Sequence, residues 1–106
     1  MYQELQSSLG GGGSLSADIH TFTSQASIPI TCEVGDIVVV SAVRSAAGYG
    51  FLWNGADWNA STDSIGLVSQ GTNNATFYYK PAQANNTFSI ESGATLTGGY
   101  SIISSS

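Results

Sequence analysis

The stretch VGDIVVVSAVR (Val34–Arg44) contains the strongest strand signal in the chain. Gly35-Asp36 is a turn dipeptide, because glycine tolerates positive φ and an aspartate side chain can hydrogen-bond to the adjacent backbone. The β-branched run that follows, Ile37–Val40, places apolar side chains on both faces of a strand. Such a strand is covered on both faces or lies centrally in a sheet whose outer side meets a partner. We therefore expect it to be the central strand of the fold.

Short apolar or alternating segments, separated by turn residues, lie on both sides of this stretch. They predict strands at Ile19–Ser24, Ser27–Cys32, Asp36–Arg44, Tyr49–Trp53, Asp57–Ser61, Ser64–Gln70, Asn74–Lys80, Thr87–Glu91 and Thr95–Ser104. The first two are expected to pair with each other. Helical periodicity is absent after residue 9, and the pattern is typical of an all-β fold, an antiparallel β-sandwich or jelly roll of about eight short strands. This domain is predicted to span residues 15–106, behind an N-terminal arm and a Gly-rich linker at residues 1–14.

One side of each predicted strand should form the core. The expected core residues are Phe22, Ile30, Ile37, Val39, Phe51, Ile65, Leu67, Phe77, Tyr79, Phe88, Ile90 and Ile102. Val38, Val40 and Tyr78 are then left as apolar groups that one thin core does not cover. Closed symmetric oligomers usually cover such surface, so a homo-oligomer is expected, with a trimer as the favoured state.

Charged residues make up 8% of the 106 residues, against about 25% in a typical domain. The net charge is −5, and the bases are Arg44 and Lys80. Phosphate binding needs clustered Lys and Arg, so nucleic-acid binding is excluded and anionic membranes are disfavoured. A surface of Ser, Thr, Asn and Gly loses little side-chain entropy when it packs against neighbours, which suits a protein of an assembly.

Neither a secretion signal nor a membrane span is predicted. The opening residues, MYQELQSSL, lack a basic region followed by an apolar one, and every apolar run is shorter than a bilayer span. The chain is therefore expected to be made in a cytoplasm, although its surface resembles that of an extracellular protein. Virion proteins combine these two properties.

Catalytic and metal-binding patterns are absent from the sequence. His20 lies in an alternating strand, no G-x-S-x-G elbow occurs, and the acidic residues are isolated. Cys32 is the sole cysteine, which excludes an intrachain disulfide and a cysteine metal cluster. It is predicted to be a small buried residue, with a disulfide between subunits as the alternative. We expect a protein that is not an enzyme and that holds no cofactor or metal.

The N-terminal arm is a candidate partner-binding segment. Tyr2, Leu5 and Leu9 have helical spacing and form an apolar stripe, and GGGGS follows at residues 10–14. This linker is either native or engineered. The arm is predicted to become ordered against a partner, with a frayed terminus as the alternative.

A second candidate site is the aromatic-rich segment Tyr49–Asn59, YGFLWNGADWN. Sugars bind to aromatic faces that lie beside amide and carboxylate groups. The residues that would supply those groups are Trp53, Asn54, Asp57, Trp58 and Asn59. The alternative is that Phe51 and Trp53 fill the core while Trp58 covers one end of a sandwich.

From Gly35 to its end the chain resembles small β-sandwich domains of tailed-bacteriophage virion proteins. The resemblance is carried by Gly35-Asp36 before Ile37–Val40, a middle segment around Trp58, Tyr78-Tyr79-Lys80 before Pro81-Ala82, Thr87–Ile90, and a glycine-rich last strand that ends at Ile102-Ile103. Such domains occur in capsid decoration proteins, head fibres and tail-fibre tips. They share no catalytic residues, so none is transferred to this chain.

The resemblance implies a structural role in a phage virion. The expected function is that of a capsid decoration or accessory protein, anchored by its arm to the major capsid protein or another virion protein. The alternative is a head-fibre or tail-fibre tip domain that binds a host surface glycan through the Trp53–Asn59 loop.

Overall fold

The computed structural model describes residues 18–105, and within that range the regular secondary structure is entirely β. The predicted arm residues Tyr2, Leu5 and Leu9, together with the Gly-rich linker, lie outside the described residues. The strands are β1 His20–Gln25, β2 Ser27–Thr31, β3 Ile37–Arg44, β4 Phe51–Trp53, β5 Ala56–Asp57, β6 Ser64–Ser69, β7 Asn74–Tyr79, β8 Asn85–Ile90 and β9 Leu96–Ile103. In this part of the chain, no helix is long and apolar enough to cross a membrane.

Two antiparallel sheets pack as a β-sandwich. The five-stranded sheet has the order β1-β9-β3-β7-β6, and the four-stranded sheet has the order β2-β8-β4-β5. β3 is the middle strand of the larger sheet and pairs along its length with β9 and β7. The predicted fold class and the central position of this strand are confirmed.

The predicted pairing of the first two strands is wrong. β1 pairs with β9 in the larger sheet, whereas β2 pairs with β8 in the smaller one. Only Ala26 separates β1 from β2, so the chain passes from one sheet to the other almost without interruption. A register shift between Phe22 and Gln25, with Ser24 at φ 48°, marks this crossing. Strands change sheets at such bulges, and the alternation of side chains does not reveal where they do so.

The inward-facing side of β3 is the opposite of the predicted one. Val38 and Val40 are fully buried and Ala42 is nearly so, whereas Ile37 and Val39 are half-buried on the other face. Because the run Ile37–Val40 is β-branched throughout, its pattern indicates a strand without indicating which face is covered. Val38 and Val40 therefore belong to the core and are not apolar groups left uncovered by it.

The edge strand β6 accounts for two further errors in the expected core. Ile65 is 54% exposed and Leu67 is 37% exposed, since β6 has a neighbour on one side only. Ile102 is half-buried and packs against the core. The remaining predictions are confirmed, because the buried cluster includes Phe22, Ile30, Phe51, Phe77, Tyr79, Phe88 and Ile90.

Aromatic rings join the two sheets. The Phe77 ring of the larger sheet lies 5.1 Å from that of Phe51 and 5.5 Å from that of Phe88, both in tilted arrangements. The Trp53 and Tyr79 rings stack across the sandwich at 3.9 Å with an angle of 7° between their planes. Large side chains fill a small core efficiently, and tilted or stacked ring pairs stabilise it beyond the area they bury.

Candidate functional site

The two tryptophans of the predicted glycan loop have different surroundings. Trp53 is fully buried, and its indole Nε1–H donates a 3.0 Å hydrogen bond to the Asp63 carboxylate. Trp58 is half-buried and lies 5.5 Å from Phe77 in a tilted contact. Its backbone carbonyl accepts a 3.1 Å hydrogen bond from the Tyr79 hydroxyl. Trp53 therefore fills the core, and Trp58 is the aromatic side chain that this loop offers to a ligand.

The polar side chains of the loop mostly serve its own turn. Asn54 and Gly55 both have positive φ, as a two-residue turn between β4 and β5 requires. The Asn54 carboxamide accepts the Thr87 N–H at 2.8 Å and donates to the Asn86 side chain at 3.0 Å. Asp57 accepts the backbone N–H of Asn59 at 3.1 Å. The structure thus brings the predicted residues together as a turn, in which Asn54 faces β8 and Asp57 and Asn59 are exposed.

Trp58 lines a cleft at the side of the sandwich, with a volume of about 190 Å³. We call it the Arg44 cleft; its wall includes Arg44, Phe51, Trp58, Leu67, Thr72 and Phe77. Arg44 is the last residue of β3, on the same strand face as Val40 and Ala42, so its side chain enters the edge of the core. The sequence identified Arg44 only as one of two bases and did not predict its place beside aromatic rings.

The outward side of the five-stranded sheet is a second candidate site. We call it the outer face; it consists of Ile37, Val39, Ser41 and Val43 of β3, Asn74, Thr76 and Tyr78 of β7, and Thr97, Gly99, Ser101 and Ile103 of β9, flanked by Ile19 and Val68. None of these side chains is charged. Ile19, Val43 and Val68 are 69%, 50% and 44% exposed; they lie at the two edges and in the middle strand of this sheet, with polar side chains such as Ser41 and Thr76 between them.

Two shallow depressions lie on the outer face, on either side of Ser41 and Gly99. One has a volume of about 310 Å³ and is bounded by Val43 and Thr76 among others. The other, of about 210 Å³, is bounded by Ile19 and Val39. They occur where glycine provides no side chain, so a partner's side chains could enter them.

The outward side of the four-stranded sheet has a different composition. Its side chains are Ser27, Pro29 and Thr31 of β2, Asn85, Thr87 and Ser89 of β8, Leu52 of β4 and the charged Asp57 of β5. All but Pro29 and Leu52 are small and polar. The apolar surface of the sandwich is therefore concentrated on one of its two sheets.

Two buried carboxylates serve the fold. Asp36 accepts the backbone N–H groups of Glu33 at 3.0 Å and Ser105 at 2.9 Å, and these bonds hold the pKa of its carboxyl below the usual value. Asp63 accepts from Trp53 and from the Ala82 N–H at 3.2 Å. Burial, followed by the nearby acids Asp57 and Asp63, raises the pKa of Tyr79. Nothing in the local spacing of these acids predicted their burial.

The remaining residues with reactive side chains, His20 and Cys32, do not belong to a cluster of such groups. His20 is exposed and stacks on Tyr100 at a ring distance of 4.8 Å. Cys32 is buried, as predicted, and burial raises the pKa of its thiol, with smaller contributions from Asp36 and Asp63. Within residues 18–105, no three His, Cys, Asp or Glu side chains are grouped so that they could hold a metal ion.

No protein-family model matches the chain, and neither a curated protein nor a solved structure is significantly similar to it. The resemblance to phage virion domains therefore stays a prediction, carried by the residues quoted for it.

Proposed function

We propose that this protein is a non-enzymatic structural subunit that packs against copies of itself through the outer face. We further propose that its setting is the virion of a tailed bacteriophage, where it acts as a capsid decoration or accessory protein. The observation that carries the proposal is the contrast between the two sheets: the outer face is uncharged and includes several exposed aliphatic side chains among its polar ones, whereas the other sheet presents mainly small polar side chains.

A second copy of the chain is a suitable occupant of the outer face. Each copy has a net charge of −5, so most pairs of surfaces would repel each other. A contact through the outer face avoids this repulsion because its strand residues are uncharged. Such a contact would also bury the apolar side chains of Val39, Val43 and Tyr78. Burying apolar area stabilises a contact by roughly 25 cal/mol per Å² before the entropy of association is subtracted.

The virion setting is supported by composition and by resemblance. A charge-poor surface loses little side-chain entropy in an assembly, and the motifs from Gly35 to Ile103 resemble those of phage virion domains. In this setting Tyr2, Leu5 and Leu9 of the arm would bind a neighbouring virion protein. Several arms of one oligomer would bind together more tightly than one, because each raises the effective concentration of the others.

The experiment is a measurement of molar mass by light scattering for the full chain at micromolar concentration. We expect an oligomer, and a trimer in particular. Ser41→Lys should dissociate it, because Ser41 lies exposed at the middle of the outer face between β7 and β9. Ser89→Lys is the matched control on the other sheet and should leave the mass unchanged.

A wild-type protein that stays monomeric would overturn the proposed self-association. Equal dissociation by both lysine variants would place the contact somewhere other than the outer face. Circular dichroism of both variants checks that each one remains folded.

A further inference from the structure

The guanidinium of Arg44 lacks a carboxylate partner among the described residues. Its Nη1 donates to the Tyr49 carbonyl at 2.7 Å and its Nη2 donates to the Thr72 carbonyl at 2.6 Å. The buried Nε–H has no hydrogen-bond partner. The guanidinium carbon lies 5.4 Å from the centre of the Phe51 ring. Arg44 is thus a half-buried positive charge that is oriented by carbonyls and an aromatic face but is not neutralised.

An unneutralised charge at the edge of a core is unfavourable, and an anion placed beside it would be stabilised. The chain has seven acidic residues and two bases, so a carboxylate partner would have been easy to supply. Glu91 instead accepts the N–H of Gly50, the residue after Tyr49, at 2.6 Å. The buried Asp36 and Asp63 are bonded to backbone N–H groups and to Trp53. Arg44 therefore remains available to a ligand.

The walls of the Arg44 cleft indicate what kind of anion would fit. Phe51, Trp58 and Phe77 supply apolar ring surface, and Ser69, Thr72 and Asn74 supply hydroxyl and amide groups. Its volume of about 190 Å³ is smaller than the roughly 300 Å³ at which pockets for drug-sized molecules begin, so one sugar ring is a better match. A single arginine is also a poor site for a polyphosphate or nucleic acid, which needs clustered bases.

We propose that the Arg44 cleft binds an acidic sugar, a hexuronic acid or a similar carboxylate-bearing unit. The sugar's carboxylate would lie beside the Arg44 guanidinium, its C–H face would pack on Trp58, and its hydroxyls would reach the polar side chains at the rim. A planar guanidinium recognises a carboxylate better than an ammonium does. This binding site does not depend on the assembly through the outer face.

The test uses the ¹⁵N-labelled full chain with sodium glucuronate as the probe and glucose as the uncharged comparison. We expect glucuronate to shift the NMR signals of the Trp58 indole N–H and of backbone amides around Thr72, with a Kd of about 1 mM. Glucose should shift them at least about tenfold less at equal concentration, since it lacks the carboxylate that Arg44 would bind.

Two residues of β6 provide matched variants that leave Arg44 in place. Leu67 lines the cleft, whereas Ile65 is exposed on the same strand and lines neither the cleft nor the depressions of the outer face. Leu67→Glu should weaken glucuronate binding by about tenfold or more, because it adds a like charge beside the ligand. Ile65→Glu adds the same charge away from the cleft and should change the Kd by less than about twofold.

Three results would overturn the proposal. Equal shifts with glucose and glucuronate would show that the carboxylate is not recognised, and equal weakening by the two glutamate variants would place the binding elsewhere. Absence of any shift at millimolar glucuronate would show that the cleft does not bind acidic sugars. Because both variants keep the core side chains, their amide spectra also report directly whether the fold is retained.

Discussion

Gly98 lies where β9 approaches β3 most closely. It is paired with Ala42 on one side and with Phe22 of β1 on the other. A Cβ atom at this position would overlap the Ser41 carbonyl oxygen and would lie 2.9 Å from the Ala42 Cα. The obstacle is backbone, which cannot rotate away as a side chain can. A glycine in the interior of a strand usually weakens it, so its presence here reflects a need for space.

We expect Gly98→Ala to lower the free energy of unfolding by about 3 kcal/mol, because the two central strands must move apart. Gly66→Ala is the control within a strand, since its Cβ would meet Tyr78 at an ordinary distance of 3.6 Å. That variant should change stability by no more than about 1 kcal/mol. Urea unfolding followed by tryptophan fluorescence measures both, and equal effects would contradict the close approach.

Asp36 shows how one side chain can join distant parts of the chain. Its carboxylate caps the turn before β3 by accepting the Glu33 N–H. It also accepts the N–H of Ser105, two residues after the end of β9. Hydrogen bonds to a charged acceptor contribute about 1.5–3 kcal/mol each, more than neutral ones. The turn and the last strand are thereby held at the same end of the sandwich.

At the scale of the element, β3 determines how the sandwich is built. It pairs with β9 over eight residue pairs from Ile37 to Arg44, and with β7 on its other side. Its inward side supplies Val38 and Val40 to the core, and its outward side supplies Val39 and Ser41 to the outer face. One strand therefore serves both the core and the proposed contact between copies.

Two aspartate variants on adjacent residues test the orientation of this strand. Val40→Asp would bury an unpaired charge and should cost several kcal/mol, a large part of the 5–15 kcal/mol typical of a domain. Val39→Asp places the same charge on the outer face. It should break the proposed contact between copies but cost the separate subunit only about 1 kcal/mol, the usual range of strand propensities. Thermal unfolding followed by circular dichroism distinguishes them. If the Val40→Asp protein folded and the Val39→Asp protein did not, Val39 and not Val40 would face the core.

At the scale of the whole molecule, the sandwich has one polar side, one apolar side and a cleft at its edge. Packing between the sheets uses the inner side of every strand, so the two outer sides are free to differ. The proposed contact with other copies uses the larger sheet, whose outward strand residues are uncharged. The Arg44 cleft lies beside β6 and shares Asn74 and Ala75 with the larger depression on the outer face, so the two proposed sites adjoin each other.

The N-terminal arm gives a prediction at this same scale. Removing residues 1–13 should leave the unfolding temperature within a few degrees of that of the full chain, because the described core and its hydrogen bonds lie within residues 18–105. The same deletion should abolish binding to capsids from which the protein has been removed. Undiminished binding would assign attachment to the sandwich itself and would refute the proposed role of Tyr2, Leu5 and Leu9.

Local patterns in the sequence were sufficient to predict the strands. Alternation, β-branched runs and turn dipeptides such as Asn54-Gly55 reflect short-range geometry, and they correctly indicated an all-β chain with β3 at its centre. The burial of Cys32 was predicted, and the burial of Trp53 was the alternative to its place in a glycan site, because large or sulfur-containing apolar side chains usually lie inside.

Only the tertiary structure decided which face of each strand is covered and which strands are neighbours. The run Ile37–Val40 has β-branched apolar side chains on both faces of the strand. The burial of Val38 and Val40 therefore depends on the second sheet that packs on them. The separation of β1 from β2 depends on partners more than fifty residues away. Arg44 and Trp58 meet in one cleft for the same reason: contacts between distant segments are decided by packing, which local sequence does not encode.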